Sequence, residues 1–230
     1  MVFGEIMAQK RGIDKKKAID DLKKLHKKLR RQIIKRLSEF NEIWENGTEE
    51  DIFIELVFCL LTPQSKAKSC HSAVCDMIDK DLILNGNQKQ ISKILKSKTR
   101  FHNTKAQNIV KARNMFFKNG QIAIRERISK FGGPFEARES LVNNIKGMGY
   151  KEASHFLRNI GLGNELAILD RHILKNLVVL GIIKEIPTSL SKKRYLEIEA
   201  EMKKFAENIK IPMAHLDLLL WYTETKEIFK

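Results

Sequence analysis

Apolar residues recur at helical spacing along most of the chain. Near its start, six of them follow one another at steps of three and four, which places them on one helical face: Leu22, Leu25, Leu29, Ile33, Leu37 and Phe40. This spacing predicts a long amphipathic helix that begins at Asp14. Residues 1–13 show no such period, so we expect a frayed N-terminus there.

A capping signal predicts the next helix. Thr48 precedes three acidic residues and the apolar run 52–61, which favours a buried helix over a strand. Proline then forces a turn at 62–64. Further along the chain, Phe116 and Phe117 are both expected in the core. No segment alternates as a strand would, so the expected fold class is all-α. The remaining predicted helices are 65–80, 88–118, 136–145, 172–180, 191–209 and 213–222.

The charge balance adds an expectation about partners. Lys and Arg exceed Asp and Glu by 43 to 28, a net charge of +15, which favours a polyanionic partner. Residues 1–36 hold 13 basic and 4 acidic side chains, 13 − 4 = +9 of that excess. These residues form either a solvated helix face or a supplementary phosphate contact. No apolar run approaches the length of a membrane span and no signal peptide opens the chain, so we expect a soluble, intracellular protein.

The cysteines do not suggest a metal centre. An odd number, Cys59, Cys70 and Cys75, indicates reduced thiols, and we expect all three to be buried and free. Metal binding by Cys70, His71 and Cys75 is the alternative, but a spacing of five separates two helical side chains. The C-terminal half contains no cysteine, which excludes a four-cysteine iron–sulfur cluster there.

The segment 141–172 carries the candidate chemistry. Gly147 and Gly149 allow the backbone to turn tightly and to approach another molecule closely. Lys151 follows in the first turn of a helix, whose unpaired N–H groups favour a phosphate. Asp170 comes 19 residues later (170 − 151). Taken alone, the lysine could be a phosphate contact or a surface residue, and the aspartate a helix N-cap.

Gly-Met-Gly-Tyr-Lys followed by Leu-Asp-Arg-His resembles the helix-hairpin-helix DNA glycosylase superfamily. Within it, the chain is similar to the archaeal-type 8-oxoguanine DNA glycosylase/AP lyase family, from about Leu37 onward. The resemblance implies one catalytic unit of two helical lobes over 14–230, with the DNA cleft between the lobes. The helix-hairpin-helix motif would occupy about 136–160. We expect at most a structural monovalent cation at the hairpin as cofactor.

The resemblance also implies the reaction. The target base would be flipped out of the duplex, and Lys151 would attack the sugar to form a Schiff base. Asp170 would stabilise the positive charge on the sugar, and β-elimination would then cleave the abasic site. Gly147, Gly149 and Tyr150 would contact the DNA at the hairpin.

The remaining implied site residues lie outside the hairpin. Gln64 would enter the gap that the flipped base leaves. His172 would contact a phosphate or support the catalytic groups, unless it is an ordinary satisfied polar residue. Trp221 would line the base pocket or belong to the core, and Lys230 would reach the damaged base. Lys226 departs from the family, which has a glycine there.

The expected partner is therefore double-stranded DNA that contains oxidised guanine, bound by a monomer in the cytoplasm or nucleoid. Two alternatives stay open. One is a glycosylase of the same superfamily for oxidised pyrimidines or mispaired adenine, although such relatives often carry a four-cysteine cluster. The other is a hairpin module that binds structured DNA without catalysis, which would not need Asp170 together with Lys151.

Overall fold

A computed structural model describes residues 15–229 of the chain. Within that range the protein is almost entirely helical, which confirms the all-α expectation. The elements are α1 (Lys15–Glu45), α2 (Glu49–Leu61), α3 (Ala67–Asp79), α4 (Leu82–Asn85), α5 (Gln88–Leu95), α6 (His102–Phe116), β1 (Phe117–Lys118), β2 (Gln121–Ile122), α7 (Ile124–Ile128), α8 (Pro134–Asn144), α9 (Tyr150–Asn159), α10 (Arg171–Val179), α11 (Lys192–Ile209) and α12 (Met213–Thr225). The expectations for residues 1–13, the helix start at Asp14 and the role of Lys230 lie outside the described residues.

The chain forms two compact units. One contains the described residues up to Glu39 together with Asn164–Phe229, and the other contains Phe40–Gly163. The second unit carries the hairpin with Lys151, and the first carries Asp170 and Trp221.

Helix α2 is the centre of the unit that holds the hairpin. Thr48 caps it as predicted, in a capping box in which Thr48 and Asp51 bond each other's backbone N–H groups. Helices α3, α6, α7 and α9 pack against it, and most of its side chains are buried. Because α2 ends at Leu61, this packing determines where the following turn, with Thr62 and Gln64, leaves the core.

In the other unit, helix α11 holds the irregular segment that leads to Asp170. The Tyr195 hydroxyl donates to the Ala167 carbonyl oxygen over 2.6 Å, and the Glu199 carboxylate accepts the Ala167 N–H over 2.8 Å. Both Tyr195 and Glu199 are buried. Side chains thereby satisfy backbone groups of this irregular segment, which fixes the entrance to α10.

Three expectations about local structure were wrong. The predicted helix 88–118 is two helices, α5 and α6, separated by residues 96–101, and Phe101 at the start of α6 has a φ of +56°. Phe116 is buried as expected, but Phe117 is 51% exposed, because the chain leaves α6 there and reverses through β1 and β2. The reversal uses Asn119-Gly120 with φ angles of +51° and +85°, a hairpin signal that the sequence does contain.

The third error concerns a cysteine. Cys59 and Cys70 are buried, whereas Cys75 is only partly buried, and its sulfur lies 3.7 Å from the His71 Nε2 atom. All three thiols are free. None of the helices between residues 15 and 229 is both long and apolar enough to cross a membrane.

Candidate active site and DNA interface

The hairpin turn connects α8 to α9. Gly147 has a φ of +86°, and a Cβ atom there would overlap the side-chain amide of Asn108. Gly149 has an ordinary φ of −95° and is the N-cap of α9. Gly147 is thus the position at which the turn depends on glycine, for both its backbone angle and its close approach to α6.

The beginning of α9 is already partly satisfied from within the protein. The Glu152 carboxylate accepts the Gly149 N–H over 3.2 Å. The Tyr150 hydroxyl donates to Glu139 on α8, and the Arg138 guanidinium lies 5.3 Å from the Tyr150 ring centre. These contacts fix the two hairpin helices to each other, and DNA binding by Gly147, Gly149 and Tyr150 stays a prediction.

Lys151 is anchored to the end of α2. Its ammonium donates to the Thr62 hydroxyl oxygen over 2.9 Å and lies 3.3 Å from a Glu152 carboxylate oxygen. The Thr62 hydroxyl in turn donates to the Cys59 carbonyl oxygen over 2.9 Å. The Lys151 side chain remains 22% exposed, so the amine is held at the edge of the core and is still accessible. Sequence reasoning missed Thr62, because nothing in the chain indicates that it meets a lysine 89 residues later.

A second lysine, Lys105 on α6, lies at the same turn and was also missed. It is 4% exposed, and its ammonium donates to the Leu61 and Pro63 carbonyl oxygens and to the Ser65 hydroxyl. Burial lowers the pKa of Lys105 below its ordinary value. The positive charge of Lys151 lowers that pKa further, while the negative charge of Glu152 opposes the shift.

The buried thiols near this cluster are not candidate nucleophiles. Burial raises the pKa of Cys70 to about 11, and the protonated thiol donates to the Leu61 carbonyl oxygen. Burial also raises the pKa of Cys59 well above its ordinary value. Both groups are neutral at physiological pH, and a neutral thiol is a poor nucleophile.

Gln64 is exposed on the turn between α2 and α3, with a φ of +52°. The Ser65 hydroxyl accepts the Arg100 N–H over 3.1 Å, which brings the chain before α6 to the same turn. Phe101, the next residue, is 55% exposed, and the Arg100 guanidinium lies 5.5 Å from its ring centre. The sequence predicted an uninterrupted helix there and gave no sign of this exposed aromatic side chain.

In the other unit, Asp170 is the N-cap of α10, as the simpler interpretation expected. Its carboxylate accepts the Ile173 N–H over 2.8 Å, and this bond fixes the orientation of the side chain. Capping uses one carboxylate oxygen and is compatible with a catalytic role. Lys151 and Asp170 belong to different units, so their pairing remains a prediction from the resemblance.

His172 and Trp221 form an aromatic pair in that unit. Their ring centres are 5.2 Å apart with the planes nearly perpendicular, and Trp221 is partly buried rather than enclosed in the core. The His172 Nδ1 atom lies 3.7 Å from Glu224, whose pKa is lowered by its hydrogen bond from Lys175. Sequence reasoning missed Glu224 as the partner that orients the histidine.

The last helix, α12, ends at Thr225 and is capped by Lys226, the residue where the family resemblance implies a glycine. Lys226 has a φ of +62°, in the left-handed region that glycine favours. Its ammonium donates to the Thr223 carbonyl oxygen over 2.9 Å. The turn is therefore formed with lysine in place of glycine, and the departure in sequence does not remove the left-handed backbone conformation.

Comparison with known proteins gives a consistent result. The family model for 8-oxoguanine DNA glycosylase matches residues 33–211. The 8-oxoguanine DNA glycosylase/AP lyase of Fusobacterium nucleatum is 47% identical over 94% of this chain and 99% of its own length. The protein of the same name from Methanocaldococcus jannaschii is 39% identical over 93% of this chain and 98% of its own.

Solved structures agree with the sequence matches. The crystal structure of the Thermotoga maritima 8-oxoguanine DNA glycosylase superposes with a TM-score of 0.84 at 34% identity, covering 94% of this chain and all of that one. The Methanocaldococcus jannaschii enzyme in complex with DNA containing 8-oxoguanine gives a TM-score of 0.83 at 37% identity, with 92% and 99% covered. With the glycine hairpin and its lysine in place, these matches identify the chain as a member of the 8-oxoguanine DNA glycosylase family.

Proposed function

We propose that this protein removes 8-oxoguanine from double-stranded DNA and then cleaves the strand at the abasic site. The observation that carries the proposal is the accessible Lys151 amine, which follows the glycine hairpin and is held by the Thr62 hydroxyl. The names of the relatives, 8-oxoguanine DNA glycosylase/AP lyase, support the same activity.

The reaction begins with extrusion of the damaged nucleotide, which costs a few kcal/mol of stacking and pairing. Gln64 enters the gap in the duplex, and its exposed position on a tight turn suits that task. Gly147, Gly149 and Tyr150 place the hairpin against the phosphate backbone, and His172 provides a further phosphate contact in the other unit. These contacts position the DNA and do not read its sequence.

The Lys151 amine, in its neutral form, then attacks the sugar C1′ atom. A C–N bond to the lysine forms while the bond from C1′ to the base breaks, and the base leaves with the electron pair of that bond and a proton. Asp170 stabilises the positive charge on the sugar. The attached amine loses a proton, and its lone pair forms the C=N bond as the bond from C1′ to the ring oxygen breaks and that oxygen takes up a proton. The resulting Schiff base makes the 2′ proton acidic, and β-elimination expels the 3′ phosphate. Thr62 orients the amine, because its own proton is donated to Cys59 and its lone pair faces Lys151.

Trp221 and Lys230 form the base-recognition group of the proposal. The partly buried Trp221 ring stacks on the flipped purine, and the perpendicular contact with the His172 ring holds the indole in place. The Lys230 side chain contacts the damaged base. Deleting Lys230 should reduce 8-oxoguanine excision while leaving lyase action on abasic DNA intact. Equal retention of both activities would remove Lys230 from the pocket.

A structural monovalent cation at the hairpin is a further part of the proposal. A depression of about 500 Å³ is lined by 142–149, whose side chains include no carboxylate. Peptide carbonyl oxygens would be the ligands, and neutral oxygens beside Lys146 suit a singly charged ion better than a divalent one. When bound, the ion would stiffen the turn. Thermal stability should then rise with added K⁺ or Na⁺ above the effect of a bulky organic cation at the same ionic strength.

A strand-cleavage assay tests the function directly. Duplexes of one sequence, containing guanine, 8-oxoguanine or an oxidised pyrimidine, should be cleaved only where 8-oxoguanine is present. Lys151→Gln should abolish cleavage, whereas Lys111→Gln, the same change at an exposed position on α6, should leave it intact. Binding without cleavage by the wild-type protein would favour the hairpin module. Cleavage at the oxidised pyrimidine alone would favour another glycosylase of the superfamily.

The role of Asp170 needs a separate readout because the residue also caps α10. Asp170→Asn keeps a capping oxygen and should slow excision severely while binding persists. A loss of thermal stability at normal activity would reduce Asp170 to a cap.

The excess of basic residues sets the expected salt dependence. We also propose that the protein acts on DNA inside the cell, where reducing conditions keep its three thiols free. Affinity for duplex DNA should fall steeply and linearly on a plot of log K against log salt. A flat plot would contradict an electrostatic contribution from the +15 net charge.

A further inference from the structure

The ammonium group of Lys105 donates all of its hydrogen bonds to one turn of the chain, between Leu61 and Ser65. It donates to the Leu61 carbonyl oxygen over 2.7 Å, to the Pro63 carbonyl oxygen over 2.8 Å and to the Ser65 hydroxyl over 2.8 Å. An ammonium has three protons, so these three bonds satisfy it fully. Lys105 is 4% exposed, and a buried charge that is not satisfied in this way would be costly.

Two of these bonds lie on either side of Gln64. Pro63 precedes it and Ser65 follows it, and Gln64 itself has a φ of +52°. A residue other than glycine keeps a left-handed conformation when its surroundings determine it. The Lys105 ammonium supplies that constraint from another helix, about forty residues away along the chain.

The third bond leads to the nucleophile. Leu61 is followed directly by Thr62, whose hydroxyl accepts the hydrogen bond from Lys151. Cys70 also donates to the Leu61 carbonyl oxygen, over 3.2 Å. One buried charge therefore fixes both the residue that orients the amine and the residue that enters the duplex.

We propose that Lys105 is a positioning residue for the reaction, which sets the Gln64 turn and the Thr62 contact to Lys151 together. The inference rests on the proposed function, since it requires Gln64 and Lys151 to act on DNA. Lys105 itself touches neither the substrate nor the reacting atoms. A residue of purely structural importance would affect stability alone, whereas Lys105 affects the rate through two identified partners.

The first test compares Lys105→Met with Lys111→Met, the same substitution at an exposed position on α6. Methionine preserves the long apolar stem and removes every donor. Excision of 8-oxoguanine from a duplex, measured in single turnover with saturating enzyme, should fall about tenfold to a hundredfold in Lys105→Met, the scale expected for misplaced groups. The dissociation constant for DNA should change much less. Lys111→Met should keep the wild-type rate, and equal rates in the two variants would overturn the proposal.

A double-mutant cycle separates positioning from stability. If Lys105 acts through Gln64, then Lys105→Met with Gln64→Ala should be no slower on duplex DNA than Lys105→Met alone. Likewise, on an abasic single strand, where no gap needs filling, the loss in Lys105→Met should not add to that of Thr62→Val. Independent, multiplying losses in both cycles would contradict the proposal.

A milder variant covers the case in which Lys105→Met does not fold. Ser65→Ala removes one of the three acceptors at a partly exposed position and leaves the lysine in place. It should give a smaller loss of excision that is again non-additive with Gln64→Ala, and a wild-type rate would count against the proposal. Wild-type protein that fails to cleave 8-oxoguanine DNA would overturn the proposed function instead, which keeps the two failures distinct.

Discussion

Two turns in the same unit carry residues expected to contact DNA, and each turn contains one left-handed residue. In the hairpin turn it is Gly147, with a φ of +86°, and in the turn after α2 it is Gln64, with a φ of +52°. The hairpin uses the residue type that adopts this conformation freely. The turn after α2 has glutamine, for which this conformation is unfavourable. Hydrogen bonds from Lys105 on α6 hold that turn in place.

The difference separates local from long-range encoding of a site. A left-handed conformation costs a residue other than glycine roughly 1–2 kcal/mol, so it persists where tertiary contacts compensate. The glycine turn needs no side chain at its left-handed position. The Gln64 turn needs one, because the glutamine itself is proposed to enter the duplex, and a glycine there would leave nothing to insert.

The largest expected effect comes from breaking the local turn. Gly147→Ala imposes an unfavourable φ and places a Cβ atom against the Asn108 amide, so we expect a loss of roughly 2–4 kcal/mol in the free energy of unfolding. Gly120→Ala is the matched control. Its φ is nearly the same, +85°, but no atom lies within 4 Å of the added Cβ. Urea denaturation of both variants should give Gly147→Ala the larger loss, and equal losses would show that the contact with Asn108 is unimportant.

A pair of histidines, His26 and His215, makes a long-range contact in the other unit, and this contact can be tested by its pH dependence. The His26 Nε2 and His215 Nδ1 atoms lie 3.0 Å apart, and the two residues are 189 positions apart in sequence. Burial lowers the pKa of both histidines, followed by Arg30 for His26 and by His26 and Arg30 for His215.

The sign of the pH dependence follows from these directions. A lowered pKa means that the folded state binds protons less readily than the unfolded chain. The contribution to stability is therefore fully present above the unfolded histidine pKa of about 6.5 and is lost as the pH falls through the lower folded value. Melting temperatures from pH 8 down to pH 5 should fall less in the His26→Gln, His215→Gln double variant than in the wild type. Parallel curves would contradict a role for the pair.

Substitution in the Gln64 turn should change the free energy of unfolding in the opposite direction to substitution of Gly147. Gln64→Gly relieves the left-handed strain and should leave stability unchanged or raise it by about 1 kcal/mol. Gln64→Ala keeps the strain and should lower stability slightly if at all. Both variants should impair excision from paired DNA because both lose the inserted side chain. A normal rate in either variant would remove Gln64 from the site.

The smallest expected effect is at Lys226, which has a left-handed backbone conformation at the end of α12, the helix that carries Trp221. Lys226→Gly removes the strain at φ +62° and an exposed hydrogen bond to Thr223, so stability should rise by only about 0.5 kcal/mol. A pronounced gain would mean that the lysine strains the end of α12. Excision should be unaffected, and a faster rate in the variant would mean that lysine at this position hinders the base pocket.

The difference between local and long-range contacts also explains how much of the structure could be predicted from the sequence. Periodicity and caps predicted most of the longer helices, including the Thr48 cap and the Asp170 N-cap, because those signals act within a few residues. They missed the short helices α4 and α7. The glycine turn and Lys151 could be singled out together because they lie within five residues of each other. Family resemblance, rather than periodicity, singled out Gln64 and Trp221.

The rest depends on contacts that only the folded chain creates. Thr62 contacts Lys151 across 89 positions, and Lys105 contacts its acceptors across 40 to 44. Glu224 contacts His172 across 224 − 172 = 52 positions. No local sequence pattern indicates contacts at such separations. The break between α5 and α6 at Phe101 is a different case. Its left-handed backbone is held by the tertiary contact of the preceding residue with Ser65, whereas propensity alone favoured a continuous helix.

The most direct test of the central claim is to map the covalent intermediate. Wild-type protein should be treated with borohydride during reaction with 8-oxoguanine DNA, digested, and searched by mass spectrometry for the peptide that carries the reduced sugar. The modification should be on Lys151, the accessible amine at the hairpin, and Lys105 should remain unmodified because all of its protons are donated to the Leu61–Ser65 turn. A sugar adduct on Lys105, or on any amine other than that of Lys151, would contradict the account.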